Sequence, residues 1–316
     1  MIFTESTSGR AALKNRREDT ENSFKFPQNG DERIRNGLIF PRIRPSFKLE
    51  AGMTGFMVGS CFAREIESKL SLLNLPTTNV SVPPEANAGR NNSIINEFNP
   101  GCIAQRINWA VDKQDTREFE DTVSISGDLG KDLLLAKGNA LELPKVMGIR
   151  EHIDQIYAAL PVSDVLVITL GMTQAWLDRK NNLFLNRMPS PREIKREPDR
   201  YSCEFFSLEQ TVAMLTKALS RAFDSGLKNA LITVSPVPLQ STFLPMDCTL
   251  ANMHSKSTLR LAASELVRTF SGQIDYFPSY EIVMSGGLQA FQDDNIHVRR
   301  DVVEEITSYM VSEYIG

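Results

Sequence analysis

The chain has 316 residues, of which 41% are hydrophobic, so it is long enough to bury a large core. Its formal net charge of −4 provides no overall positive field of the kind that attracts nucleic acid. Apolar runs such as 165–172 are far shorter than the roughly 20 residues of a membrane-spanning helix. The charge and the short apolar runs lead us to expect no nucleic-acid partner and no membrane span. No secretory signal is readable at the N-terminus, so we expect a cytoplasmic location.

The first 43 residues are expected to form a polar lead-in that is partly extended. Residues 10–36 are rich in charged side chains and lack a sustained apolar period. Residues 44–316 are predicted to form one domain of the α/β class.

A strand predicted over 55–58 ends in a turn that could present a nucleophile. The turn is Gly59-Ser60-Cys61, and apolar residues at helical spacing follow it at once. Gly59 permits a tight turn, and free backbone N–H groups at a helix N-terminus favour a thiolate or an oxyanion. Cys61 is therefore the first candidate nucleophile and Ser60 its rival, although a cysteine after a strand is also common as core packing.

The middle of the chain alternates strand-like and helix-like stretches. The predicted elements are, in order, a strand at 77–82, a loop rich in Pro and Asn at 83–99, a helix at 103–111, short strands of a small β insertion at 122–143, a helix at 146–160 and a strand at 164–170. The last of these is a continuous apolar run, which is typical of a parallel sheet buried on both faces.

Polar residues follow strand 164–170 at the expected carboxyl edge of the sheet, where open α/β folds bind ligands. Gly171, Thr173 and Gln174 are candidates for oxyanion or substrate contacts. Trp176 is a candidate sugar-binding surface, but a Trp at a strand end is at least as common in a core.

The later elements are predicted to be a helix at 208–223, a strand at 230–235, a helix at 257–267 and a strand at 273–277. Two prolines after Ser235 make a rigid turn, which is expected to hold Ser235 near the cleft. Ser255, Lys256 and Ser257 bring a cation and hydroxyls to the predicted helix N-terminus. They indicate either an anion contact or a helix cap beside a surface lysine.

Asp294 stands three residues before His297, in a chain with only three histidines. One turn can hold this carboxylate against the imidazole, which fixes the tautomer while the other ring nitrogen faces a nucleophile. A capped helix start is the simpler interpretation of the same pair. His254 is the reserve candidate for the base.

The four cysteines are widely separated and show no spacing typical of metal ligands. We therefore expect reduced thiols and no metal site.

The run from Gly59 to Ala63 reads Gly-Ser-Cys-Phe-Ala, and the chain resembles the GSCFA family, which is grouped with the SGNH or GDSL-like hydrolases. Other segments resemble that family in its own order: 47–49, 169–176, 233–239, 255–260 and 276–281. The resemblance spans about 44–297. It implies an α/β/α sandwich with a mostly parallel, flavodoxin-like sheet of about five strands.

The resemblance also implies a chemistry. Cys61 falls at the position of the SGNH nucleophile and Ser60 where an Asp usually stands, so the expected triad is Cys61, His297 and Asp294. The expected activity is hydrolysis or transfer of an acyl group, such as acetyl, on a glycan or small hydroxylated molecule, as in polysaccharide modification. No cofactor is required, and acyl-coenzyme A is a candidate co-substrate.

One departure from the SGNH pattern supports an alternative. SGNH proteins carry Gly-x-Asn-Asp where this chain has 171–174, and the Asn that helps stabilise the oxyanion is missing here. The alternative is a non-catalytic protein that binds a glycan or a nucleotide on the same fold.

Overall fold

The computed structural model describes residues 7–18, 24–86, 89–112 and 122–315. Its helices are α1 Gly9–Arg17, α2 Cys61–Glu67, α3 Pro100–Asp112, α4 Leu143–Tyr157, α5 Pro191–Arg196, α6 Leu208–Asp224, α7 Cys248–Thr269, α8 Ser279–Ser285 and α9 Arg300–Tyr314. Its strands are β1 Ile34–Arg35, β2 Leu38–Ile39, β3 Gly55–Gly59, β4 Val123–Ser126, β5 Leu129–Asp132, β6 Leu141–Glu142, β7 Val165–Leu170, β8 Gln174–Asp178, β9 Leu183–Leu185, β10 Tyr201–Phe205, β11 Asn229–Val234 and β12 Ile274–Tyr276.

A parallel sheet forms the centre of the fold, with the strand order β12-β11-β7-β3. Every residue of β7 is buried, as its continuous apolar sequence predicts. Leu166 and Ile168 face a core shared with α3, α4, α6 and α7. Val165 and Val167 face a second core shared with α2, α8 and α9. The α/β class is therefore confirmed, with helices covering both faces of the sheet.

The sheet has four parallel strands in the described part of the chain, one fewer than expected. The strand expected at 77–82 is wrong: Pro76–Asn79 is a 3₁₀ turn. Beside the outer edge of β3, only an isolated parallel bridge joins Thr54 to Asn74. Pro76 begins the turn, and the buried Thr77 hydroxyl donates to the carboxylate of Glu67. The segment is therefore held as a turn and does not pair along the edge of β3.

Two three-stranded antiparallel sheets accompany the parallel sheet in the described residues. The expected β insertion is confirmed as β4-β5-β6. A second sheet, β10-β8-β9, was not predicted and begins directly after the turn at 171–173. None of the helices described here is long and apolar enough to cross a membrane.

Two further segments differ from expectation. Within the lead-in, Gly9–Arg17 is a helix capped by the Ser8 hydroxyl, and β1 pairs with β2. Residues 1–6 and 19–23 of the lead-in lie outside the described residues, as do residues 87–88 of the expected loop. The helix expected at 257–267 begins earlier, at Cys248, because the Asp247 side chain accepts a hydrogen bond from the Thr249 N–H.

Candidate active site

The turn between β3 and α2 needs a glycine and a capping serine. Gly59 has φ +129°, and a Cβ there would lie 2.3 Å from the carbonyl oxygen of Thr169. Ser60 is buried, and its Oγ accepts from the Phe62 N–H at 3.4 Å and lies 3.2 Å from Thr169 Oγ1. Cys61 is thereby the first residue of α2, while the hydroxyl of Ser60 is already engaged inside the protein.

Cys61 and His297 line the same pocket, which has a volume of about 650 Å³. Cys61 is half-buried and unoxidised. Val237, from the turn after β11, forms part of the wall. Within the described residues no hydrogen bond joins the thiol to the imidazole, so proton transfer between them requires the side chains to approach across the pocket.

The loop before α9 holds the imidazole of His297 against Asp294. His297 Nδ1 lies 2.5 Å from Asp294 Oδ2, and Asp294 Oδ1 accepts from the N–H groups of Ile296 and His297 at 2.9 Å each. A bridge between Phe291 and Val298 closes the loop. The hydrogen bond from His297 holds the pKa of Asp294 down at about 2, so this carboxylate stays charged. Nε2 is the ring nitrogen left for the pocket.

Burial raises the pKa of the Cys61 thiol. Its own backbone N–H, Lys137 and Lys256 act in the opposite direction, and Glu65 adds to the increase. The backbone N–H at the helix N-terminus does favour the thiolate, as expected, but desolvation of the charged sulfur outweighs the nearby donors and cations. To act as a nucleophile, a thiol with a raised pKa would need a base to take its proton.

The backbone after β7 offers no free amide for an oxyanion. The N–H groups of Gly171 and Met172 both donate to the Phe98 carbonyl, at 3.1 and 2.9 Å, and the Thr173 N–H donates to Ser255 Oγ at 2.8 Å. Gly171 is needed for this approach, since a Cβ there would lie 2.6 Å from Phe98 O. The oxyanion role expected for Gly171 and Thr173 is not available to their backbones in this arrangement.

Gln174 and Trp176 do not line the pocket that holds Cys61. Gln174 Oε1 accepts from the Phe243 N–H at 3.1 Å, and the Trp176 ring packs edge-on against Phe243 at 5.0 Å. Both side chains therefore hold the loop that precedes α7.

Lys256 is buried inside α7 instead of standing at a helix N-terminus. Its ammonium donates to the carbonyls of Gly171, Ser235 and Val237. Ser235 is also buried, and its Oγ has no partner among the described residues. Ser257 is exposed on α7 and lies outside the pocket lining. The anion contact expected for this group is wrong for Lys256, because all three of its protons are already donated.

Charged residues that the sequence reasoning did not single out surround the pocket. Lys69, Arg90 and Arg300 line it together with Glu65 and Glu304. Arg90 lies 3.5 Å from Glu65 and Arg300 lies 3.1 Å from Glu304. The fold brings these side chains from α2 and the turn after it, from α9 and from the loop expected at 83–99 to one pocket.

The family model for the GSCFA family matches residues 55–309. The chain belongs to the GSCFA family. The match includes β3, the Gly59–Ala63 turn and the loop with Asp294 and His297, so every residue of the candidate triad lies within the family region. Neither curated proteins nor solved structures gave a match. In the part of the chain that is described, no three His, Cys, Asp or Glu side chains are grouped as metal ligands.

Proposed function

We propose that this GSCFA protein is an acyl-ester hydrolase or acyltransferase that works through a Cys61-His297-Asp294 triad. The observation that carries the proposal is that Cys61 and His297, distant in sequence, line one pocket while Asp294 binds the imidazole Nδ1. A nucleophile, a base and a group that orients the base are the parts of a triad, whatever their order in the chain.

The chemistry follows from the protonation states. His297 Nε2 takes the proton from the Cys61 thiol as the sulfur attacks the acyl carbon, and the imidazolium then protonates the departing alcohol oxygen. The ester C–O bond breaks and a thioester to Cys61 forms. With an acyl-coenzyme A donor, the C–S bond breaks instead and the departing coenzyme A sulfur takes the proton. In the second half, His297 deprotonates water or a sugar hydroxyl, which attacks the thioester and restores the thiol. The N–H of Cys61, which lies beside its own sulfur, is the candidate oxyanion donor.

Within the α/β class, we propose that the fold is SGNH-like, with a flavodoxin-like sheet. A flavodoxin-like sheet has the strand order 2-1-3-4-5, and β3, β7, β11 and β12 would correspond to its strands 1, 3, 4 and 5. The bridge between Thr54 and Asn74 lies where strand 2 would stand. The carboxyl ends of the strands would then form the ligand edge, in agreement with the position of Cys61 after β3.

The charges around the pocket support an anionic acyl donor. Lys69 is exposed there without a carboxylate partner in the described residues, beside the paired Arg90 and Arg300. Acyl-coenzyme A carries phosphates that such cations would attract. The proposed acceptor is a hydroxyl of a glycan or small molecule, as in polysaccharide modification, with water as the competing acceptor.

Trapping the acyl enzyme tests the proposal. The protein is incubated with p-nitrophenyl acetate or acetyl-coenzyme A, quenched in acid and digested, and the peptide that contains Cys61 is examined by mass spectrometry. An acetyl group on Cys61 supports the proposal. Cys61→Ala should abolish the adduct, whereas the matched variant Cys248→Ala, which removes a half-buried thiol outside the pocket lining, should retain it.

A binding protein without turnover is the second candidate. It is favoured by the raised pKa of Cys61, by the engaged amides of 171–173 and by the lack of a thiol–imidazole hydrogen bond in the described residues. A protein that binds acetyl-coenzyme A or acetylated sugars, forms no acyl enzyme and turns over none of them would support this candidate instead.

A further inference from the structure

Lys256 uses all its donors inside the protein. Its Nζ lies 2.6 Å from Gly171 O, 2.7 Å from Ser235 O and 2.7 Å from Val237 O. A lysine ammonium has three protons and no acceptor, so three carbonyls satisfy it completely. A neutral amine would direct its lone pair at one of these oxygens, so the arrangement suits the charged form.

This positive charge is buried without a carboxylate beside it in the described part of the chain. Burial lowers the pKa of Lys256 to about 7, whereas an ionised Cys61 acts to raise it. The ammonium is therefore favoured in the state in which the sulfur is charged, and the three carbonyl acceptors favour the same form. An uncompensated buried charge is costly, so its presence calls for a reason beyond joining three carbonyls, which uncharged donors could also satisfy.

The position of the ammonium connects it to Cys61. Val237, which accepts one of its hydrogen bonds, lines the pocket together with Cys61. Gly171, which accepts another, packs so closely that a Cβ there would lie 3.4 Å from the Cβ of Ser60, the residue before Cys61. The ammonium is therefore bonded to one residue that packs against the turn carrying the thiol and to another that shares its pocket.

We propose that Lys256 is a positioning residue for Cys61: its buried positive charge stabilises the attacking thiolate, and its three hydrogen bonds join the carboxyl ends of β7 and β11 behind the pocket. This role in catalysis rests on the proposed acyl chemistry. The thiol proton goes to His297 and not to Lys256, whose ammonium already donates to three carbonyls. A cation at this place lowers the free energy of the state in which the sulfur is charged.

Other charged or titratable groups around Cys61 are more accessible to water. They are Glu65 and Lys69 at α2, Arg90 in the following loop, Lys137 beyond β5, and His297, Arg300 and Glu304 near α9. Lys137 is the matched control, because it acts on the thiol in the same direction but is exposed. Solvent and salt screen an exposed charge much more than a buried one.

The test is the pH profile of Cys61 alkylation by iodoacetamide, followed by peptide mass spectrometry in the wild type, Lys256→Met, Lys256→Arg and Lys137→Met. Lys256→Met should move the midpoint upward by about one pH unit or more, so that alkylation at pH 7.5 slows about tenfold. Lys256→Arg keeps the charge and should move the midpoint back toward the wild type. Lys137→Met should change the rate by less than about threefold. If Lys256→Met folds and its profile coincides with that of the wild type, the proposal is wrong.

A measurement on the wild type covers the case in which Lys256→Met does not fold. The alkylation rate at neutral pH is compared in about 0.05 M and 1 M sodium chloride. A change below about twofold supports a buried partner charge; a fall of about fivefold or more assigns the stabilisation to exposed cations and overturns the proposal. Alkylation needs no acyl substrate, so absence of turnover with a profile that depends on Lys256 would overturn the proposed function and leave this inference standing.

Discussion

Nδ1 of His297 lies 2.5 Å from Oδ2 of Asp294, and the other carboxylate oxygen accepts two backbone N–H groups of the same loop. The acid is thus fixed from both sides, while 58% of the His297 side chain remains exposed to the pocket and solvent. This pairing sets the tautomer, since Nδ1 carries the proton toward the carboxylate and Nε2 is left to act as a base.

Asp294→Asn should therefore lower kcat by about 10²-fold to 10⁴-fold, because the amide can favour the wrong tautomer. The nucleophile stays in place, so the loss should be smaller than that of Cys61→Ala. Steady-state kinetics with p-nitrophenyl acetate measure both variants. Unchanged kcat in Asp294→Asn would remove the carboxylate from the mechanism.

The loop around Asp294 should also respond to acid. The pKa of this carboxyl is depressed in the folded chain, so its contribution to stability is present above its ordinary pKa and is lost as pH falls toward about 2. Carboxyl NMR of the protein labelled at Asp should report a midpoint near 2 for Asp294. In His297→Ala the midpoint should rise, because the largest cause of the depression is removed. An unchanged midpoint would contradict the hydrogen bond.

Some elements can be predicted from the sequence because the residues that determine them are neighbours in the chain. The apolar run of β7 and the three-residue step from Asp294 to His297 both read directly as structure. The run at 77–82 is rich in Thr and Val and resembles a strand, yet the buried carboxylate of Glu67 takes the Thr77 hydroxyl and a 3₁₀ turn results. A partner in the preceding helix, which no local pattern reveals, thus influences this segment.

Lys256 shows the same limit at the site. A lysine between serines before an apolar run is typical of a helix start, but Asp247 caps α7 earlier. Three carbonyls from the turns after β7 and β11 surround the ammonium. The spacing of residues along the sequence does not show that those carbonyls meet in the fold. The pocket shared by Cys61 and His297 was anticipated from the nucleophile turn and the step from Asp294 to His297, whereas its cations were not.

The glycine at the end of β3 should be irreplaceable. Gly59→Ala places a Cβ against Thr169 O at a positive φ, and should cost about 2 kcal/mol or more of unfolding free energy. Gly148→Ala is the matched control: it lies in α4 with open space around it and should stabilise by about 0.5–1 kcal/mol. Urea unfolding measures both. Equal stability of the two variants would contradict the tight approach of β3 to β7.

The pocket cations should affect a charged donor more than a neutral one. Lys69→Glu reverses an exposed charge, and should raise KM for acetyl-coenzyme A about threefold to tenfold at low salt. The kinetics with p-nitrophenyl acetate should change by less than about twofold, since that ester carries no phosphate. Equal effects on both substrates would mean that Lys69 acts through the shape of the pocket and that coenzyme A is not held there.

Substitutions should distinguish between Ser60 and Cys61, the two neighbouring candidates for the nucleophile. Ser60 Oγ is buried, receives the Phe62 N–H and lies against Thr169 Oγ1, so Ser60→Ala should cost about 1 kcal/mol of stability and leave most of the turnover. Cys61 faces the pocket, so Cys61→Ala should lower turnover by about 10³-fold or more while ligand affinity changes little. Thermal melting and ester kinetics on both variants decide the matter. Turnover that survives Cys61→Ala and disappears in Ser60→Ala would move the nucleophile by one residue, and the cap would then have to open for the hydroxyl to reach the pocket.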